Sequence, residues 1–241
     1  MKGLGTIINV AAVVGGGAIG LLIKGGISEK MKTALIQACG LATLIIGISG
    51  ALEPMATINE DGISFSGTIL LVCSLAIGTL IGQLLDLDGK LETMGNKLRT
   101  LAHADGDNTF VEGFVTVSLI VCVGAMAVMG SIEDGLSGDY STLLTKSILD
   151  AIIAMVFAST LGIGVLFSAL SVAVYQGLIT LLAIFIAPYL TDAMISSLSM
   201  VGSTLILGVG INLLWDNKIK VANMLPAIFV PIAYELILML I

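Results

Sequence analysis

Apolar residues in this chain come in runs of about twenty, separated by short polar connections, which is the length a helix needs to cross the hydrocarbon core of a bilayer. Eight such runs stand out: Leu4–Ile23, Thr33–Leu52, Ser66–Leu85, Thr109–Gly130, Ser147–Phe167, Val172–Leu190, Ser197–Trp215 and Met224–Ile241. The pattern predicts an all-α fold, a polytopic membrane bundle of about eight transmembrane helices. The last run carries Pro226, Pro231 and Glu235 and is expected to be re-entrant or broken. The first follows Lys2 but leads into the second run with no small-residue cleavage site, so it is expected to be a retained helix and not a signal peptide. The long polar stretch, Asp86–Asp107, places Leu87, Leu91, Met94, Leu98 and Leu101 at spacings of three and four. That stripe predicts an interfacial cytoplasmic helix near residues 87–102.

The runs resemble one another. Gly16 and Gly20 in the first correspond to Gly78 and Gly82 in the third, each pair followed by a leucine-rich end and a downstream methionine, Met31 or Met94. Gly208–Asp216 repeats the theme, and Leu161–Phe167 echoes it more loosely. Small residues four apart let helix backbones approach closely where no water drives apolar faces together. A two-helix unit used four times is expected, with residues 1–130 as one half of the membrane domain and 131–241 as the other.

Composition agrees with the pattern: 57% of residues are hydrophobic and 11% charged, far too apolar for a water-soluble domain. Eight of the ten basic residues (Lys24, Lys30, Lys32, Lys90, Lys97, Arg99, Lys218 and Lys220) fall in connections on one side, which the positive-inside rule assigns to the cytoplasm. The opposite connections hold Glu53, Glu60, Asp61, Glu133, Asp134, Asp139 and Asp192, so both termini are expected outside. The net charge of −7 matters here through where each sign sits relative to the bilayer, and no nucleic-acid partner is expected. Cys39, Cys73 and Cys122 lie in apolar runs without a paired spacing, and neither a disulfide framework nor a metal site is indicated.

Ionisable residues inside spans cost about 2.5 to 3.5 kcal/mol each on insertion scales and call for a partner, water or a task. Asp150, four residues after Lys146, is expected to pair with it at the outer interface. The membrane interior is otherwise expected to lack lysine and arginine. Thr109 and Glu112 have capping-box spacing; alternatively, Glu112, Gln37 and Gln176 converge toward the cytoplasmic side as a polar ring. Ser159 and Thr160 precede Gly162 and Gly164, where hydroxyls beside glycines suit either close packing or a locally unwound helix. Glu133 and Asp134 are read as a solvated acidic loop or an outer vestibule that gathers cations. Asn9, Gln83, Gln176 and Asn212 are expected to hydrogen-bond between helices, Met126, Met129 and Met155 to be core residues, and His103 to be solvated.

Several stretches resemble the YqgA/YdfK-type family of bacterial membrane proteins: CVGAMAVMGSIEDGL at 122–136, GDYS at 138–141, Lys146–Ser147, FASTLGIGVLFSA at 157–169, Tyr175–Gly177 and ANMLP at 222–226. The resemblance implies a multi-spanning inner-membrane protein of a family of unknown function, sometimes grouped with transport proteins. It brings no catalytic or binding residues. The leading expectation is a transporter or channel for a small cation or neutral solute, with movement of two halves around a site between spans four and six. The alternative is a structural membrane protein that docks a partner through residues 86–107. Enzymatic activity is not expected, because there is no serine–histidine or paired-aspartate arrangement, no HExxH and no phosphate-binding loop. No cofactor is expected. Self-association is, because the glycine faces on spans one, three and seven exceed what one bundle buries.

Overall fold

The computed structural model describes residues 2–24, 28–59, 62–104, 108–122, 125–186, 188, 190–215 and 219–240. Glu60, Asp61 and Lys218, used above for orientation, lie outside the described residues, as does Val123–Gly124. The chain is helical: α1 Leu4–Lys24, α2 Glu29–Leu52, α3 Thr68–Leu85, α4 Leu87–Leu101, α5 Phe110–Cys122, α6 Ala125–Ser137, α7 Ser141–Leu161, α8 Gly164–Ile186, α9 Asp192–Trp215, α10 Val221–Met224 and α11 Phe229–Leu240. A short β-hairpin, absent from the all-helical expectation, joins α2 to α3. Its strands β1 (Ala56–Asn59) and β2 (Gly62–Phe65) pair antiparallel with Ala56 opposite Phe65.

Among the described residues six helices are long and apolar enough to cross a membrane, and α5 with α6 makes a seventh span if that pair, whose axes differ by 64°, counts as one. The expected eighth span is instead a chain of short pieces. Pro226 lacks the N–H a helix needs, and a 3-10 turn at Leu225–Ile228 separates α10 from α11. The twelve residues of α11 extend about 18 Å, well short of a hydrocarbon core. The fifth and sixth spans also begin and end elsewhere than the runs suggested. At Gly162 the backbone turns to φ +84°, its N–H donates to Ala158 O, and the chain reverses into α8. Beside it the Thr109 hydroxyl donates to the Leu161 carbonyl at 2.6 Å, satisfying an acceptor that the end of α7 would otherwise leave open.

The chain forms two compact units, Met1–Cys39 with Glu92–Tyr189 and Gly40–Leu91 with Leu190–Ile241. Each takes segments from both sides of residue 130. In the first, α1 runs parallel to α7: Gly5 meets Leu143, Gly16 meets Ala151 and Gly20 meets Met155. At Gly16 and Gly20 a Cβ would run into the backbone carbonyls of Ala151 and Met155, so only glycine allows this approach. α8 runs antiparallel to α1, with Thr6 beside Thr180, and Gly164 rests on the Phe110 carbonyl at the start of α5. In the second unit α2 and α9 are antiparallel, with Gly47 against Leu207, and α3 lays Gly78 and Gly82 on the backbone of Ala227 and Asn223. Met55, Met200, Val201 and Ala227 form a buried apolar cluster there.

The surface is the inverse of a water-soluble protein's. Leu22, Leu84 and Ile69 are more than four-fifths exposed, while Asn9 and Gln176 are fully buried. Apolar side chains outside and polar ones inside are what a hydrocarbon surround selects.

Candidate functional site

The interior of the first unit holds a charged cluster. Asp150 is the tenth of the 21 residues of α7, at mid-length, and Lys146 donates from one turn earlier to Asp150 Oδ2. Both are more than nine-tenths buried. The pair is therefore enclosed by protein and not solvated, and it lies within a helix long enough to span a membrane. The helix starts at Ser141, six residues before the apolar run, because the hydroxyls of Thr145 and Ser147 bond back to the carbonyls of Ser141 and Leu143, which lets polar letters enter a span.

Asn9 of α1 completes the cluster. Its Nδ2 donates to Asp150 Oδ2 at 2.9 Å and lies 3.2 Å from Gln176 Oε1 on α8. Asn9 Oδ1 and Gln176 Nε2 are buried with no hydrogen-bond partner among the described residues. Cys122, at the end of α5 and next to the bend, lies within electrostatic reach of Lys146 and Asp150, and Tyr175 within reach of Cys122. The cluster thus sits where three helices meet, at mid-length of α7 and α8 and in the second turn of α1, beside the pair α5–α6.

The remaining candidates lie elsewhere. Glu112 is exposed in the first turn of α5 and Gln37 is exposed on α2. Gln176 follows Gly164 by twelve residues of α8, which sets it about 18 Å along the helix from the end where α5 begins, so these three are not brought together. The Ser159 and Thr160 hydroxyls donate to the carbonyls of Val156 and Phe157 in their own helix. Gly162 and Gly164 build the α7–α8 turn and its packing on α5, not an unwound segment within a helix. Glu133 and Asp134 lie in α6, not in a loop. Asp134 is fully buried, and its carboxylate accepts the Gly3 and Gly5 N–H groups at 3.0 and 2.9 Å, satisfying the N-terminus of α1 as an acidic cap does. Glu133 accepts from the Thr142 hydroxyl at 2.7 Å. Outside the spans, the Ser141 N–H donates to Asp139 at 3.0 Å and holds that carboxyl below the usual range.

Two residues of this cluster were harder to see in the sequence. Asn9 reads there as one of several neutral polar residues, and Lys146 as an interfacial partner. Each had a signal: a lone asparagine in a run otherwise made of apolar and small residues, and a lysine exactly one turn from an intramembrane aspartate.

In the second unit the amides of buried Asn223 and half-buried Asn212 bond mainly to backbone. Asn223 accepts the Asp88 N–H at 2.8 Å and donates to Gln83 Oε1 at 3.0 Å. Asn212 donates to the Ile219 carbonyl at 2.6 Å and accepts its N–H at 2.8 Å. Lys220 lies 3.7 Å from Asp88 at the start of α4.

Long apolar helices, lipid-like exposure and a charged interior define a polytopic helical membrane protein. The chain belongs to the family described as protein of unknown function DUF554, whose model matches residues 4–236. It is similar to the uncharacterized membrane protein YdfK of Bacillus subtilis (strain 168), with 33% identity over 227 residues, 94% of this chain and 93% of that protein. It is also similar to the uncharacterized protein YqgA of Escherichia coli (strain K12), with 29% identity over 229 residues and 93% of each chain covered. No solved structure matches.

Proposed function

We propose that the protein moves a small ion or solute across the bacterial cytoplasmic membrane and binds it at Asn9, Lys146, Asp150 and Gln176. The observation that carries this reading is the buried ion pair beside two fully buried amides, with Asn9 Oδ1 and Gln176 Nε2 unpartnered among the described residues. Placing ionised groups in a span costs about 2.5 to 3.5 kcal/mol each on insertion scales, and an unmade buried hydrogen bond costs about 1 to 3 kcal/mol. No helix end needs these side chains, and the modest stabilisation of interhelical polar contacts, about 0.6 kcal/mol each, does not offset that cost. The pair is neutral overall, which favours a neutral solute, and the lack of any second basic group in the cluster among the described residues gives an anion no further partner.

Transport is read as rearrangement of the two sequence halves around the helices that carry the cluster. Duplication of a two-helix unit and self-association remain part of the proposal, as does a topology with both termini outside. The first is supported by the paired glycines of α1 and α3, each set seated on a neighbouring backbone. The test is flux of a panel of ions and small acids into proteoliposomes holding the purified full-length chain, with Asp150→Asn beside wild type. Flux that Asp150→Asn removes is expected; absence of flux for every solute would favour the partner-docking role of residues 86–107.

A further inference from the structure

Resting on that transport reading, we propose that the solute is a small uncharged molecule carrying a hydrogen-bond donor and an acceptor side by side, as amides and urea do, and that Asn9 Oδ1 and Gln176 Nε2 hold it.

Hydrogen-bond polarity points to this class. An ionised carboxylate can only accept, so Asp150 Oδ2 fixes the Asn9 amide with Nδ2 toward it, at 2.9 Å. The same nitrogen gives its other N–H to Gln176 Oε1 at 3.2 Å, which in turn orients the Gln176 amide. What the two amides have left is an acceptor, Asn9 Oδ1, and a donor, Gln176 Nε2, both buried and unpartnered among the described residues. They belong to amides already in contact, within reach of one small molecule. A planar N–C=O group offers the complement, an N–H for the first and a carbonyl oxygen for the second. An apolar solute would leave both unmet, each a buried polar group without its hydrogen bond.

Charge narrows the class further. Lys146 and Asp150 sum to zero and are closed on one another through Asp150 Oδ2. A cation or an anion added beside them would be an uncompensated charge in a medium of low dielectric constant, which is strongly disfavoured. An uncharged guest leaves the pair as it is, and no group has to gain or lose a proton. The pair is then a positioning element: it holds Asn9 in the orientation that offers Oδ1 to the solute.

The seam between α1 and α8 is polar on one side of the cluster. One turn toward the start of α1, the Thr6 and Thr180 hydroxyls meet at 3.2 Å; toward its end, the Leu166 side chain packs on Gly17. Asn9 lies about 8 Å along the helix axis from Leu4. A neutral hydrogen-bonding solute therefore has its short route to the amides where α1 and α8 part at the two threonines, whose hydroxyls serve it as donor or acceptor on the way.

The test is saturation-transfer NMR of acetamide on the full-length protein in detergent, against protein-free micelles, with urea, glycine and sodium chloride as competitors. Acetamide is expected to receive saturation from the protein and to be displaced by urea, and not by glycine or sodium chloride. Gln176→Met keeps the ion pair and the Asn9–Asp150 bond, so it should melt close to wild type and bind acetamide about tenfold more weakly. Asn9→Leu removes the acceptor and should weaken binding at least as much; it also removes a donor to Asp150 and is at greater risk of misfolding, so the two variants are measured together. Undiminished binding by either folded variant overturns the proposal, as does the absence of acetamide binding, or displacement by glycine or sodium chloride. Swelling of proteoliposomes in acetamide, urea and salt gradients separates the two claims. Flux of another solute without acetamide binding keeps the transport reading and removes the amide-class solute, whereas acetamide binding that Gln176→Met weakens, with no flux, keeps the site and removes transport.

Discussion

Both compact units bury asparagine, and they use it in opposite ways. In the second unit Asn223 and Asn212 lie at helix ends, where backbone N–H and C=O groups are left over, and each amide is used on both its oxygen and its nitrogen. In the first, Asn9 lies within α1 and Gln176 within α8, where every backbone group already has its helical partner. Their amides meet an ion pair and keep one polar atom each unmatched. A buried polar side chain at a helix end repays its cost by completing the backbone. One inside a helix does not, and that difference separates a structural amide from a candidate ligand.

The largest effect expected from breaking this contrast is at Asp150. Asp150→Asn leaves Lys146 buried and unpaired and should lower stability by about 3 to 5 kcal/mol, most of it recovered in Lys146→Gln/Asp150→Asn; thermal unfolding of the purified variants reads this directly. Equal melting of the single and double variants would show that the lysine is not stranded. Gly16→Leu forces a side chain into the Ala151 carbonyl and should cost about 1 to 3 kcal/mol or more by parting α1 from α7, with a loss of flux that tracks the loss of folded protein.

The amides themselves sharpen the comparison. Asn223→Ala removes the acceptor for the Asp88 N–H and should cost about 1 to 2 kcal/mol while leaving solute binding unchanged. Asn9→Ala should do the reverse: a stability change of about 0.6 kcal/mol, typical of interhelical polar contacts in membranes, with a clear loss of flux. Finding the two patterns exchanged would erase the distinction. The smallest effect is at Asp139. Its carboxyl lies below the usual range when folded, so its contribution is present above the ordinary carboxylate pKa and is lost as pH falls through the lowered folded-state value. Asp139→Asn should therefore be slightly less stable than wild type near neutral pH and indistinguishable from it in acid, as pH-dependent melting curves would show.

The sequence by itself determined the membrane class, the helical runs through α1, α2, α3, α8 and α9, the amphipathic α4 and the break before the last helix. Each depends on composition, on spacing within one element or on a proline, and such local properties do not need a partner to be read. It also marked Asp150 and Gln176, because an ionisable or amide side chain in an apolar run is conspicuous wherever it folds. The start of α7 was not legible, since Ser141–Thr145 reads as loop until its hydroxyls bond back to the helix. Nor was the placement of Glu133 and Asp134, which extend α6, the second of them serving α1 from more than a hundred residues away. Only the tertiary structure decided that Asn9 joins Asp150 and Gln176 while Glu112 and Gln37 stay outside. That choice depends on the parallel seating of α1 on α7, which Gly16 and Gly20 permit by letting two backbones touch, and contacts between residues so far apart in the chain leave no spacing to read.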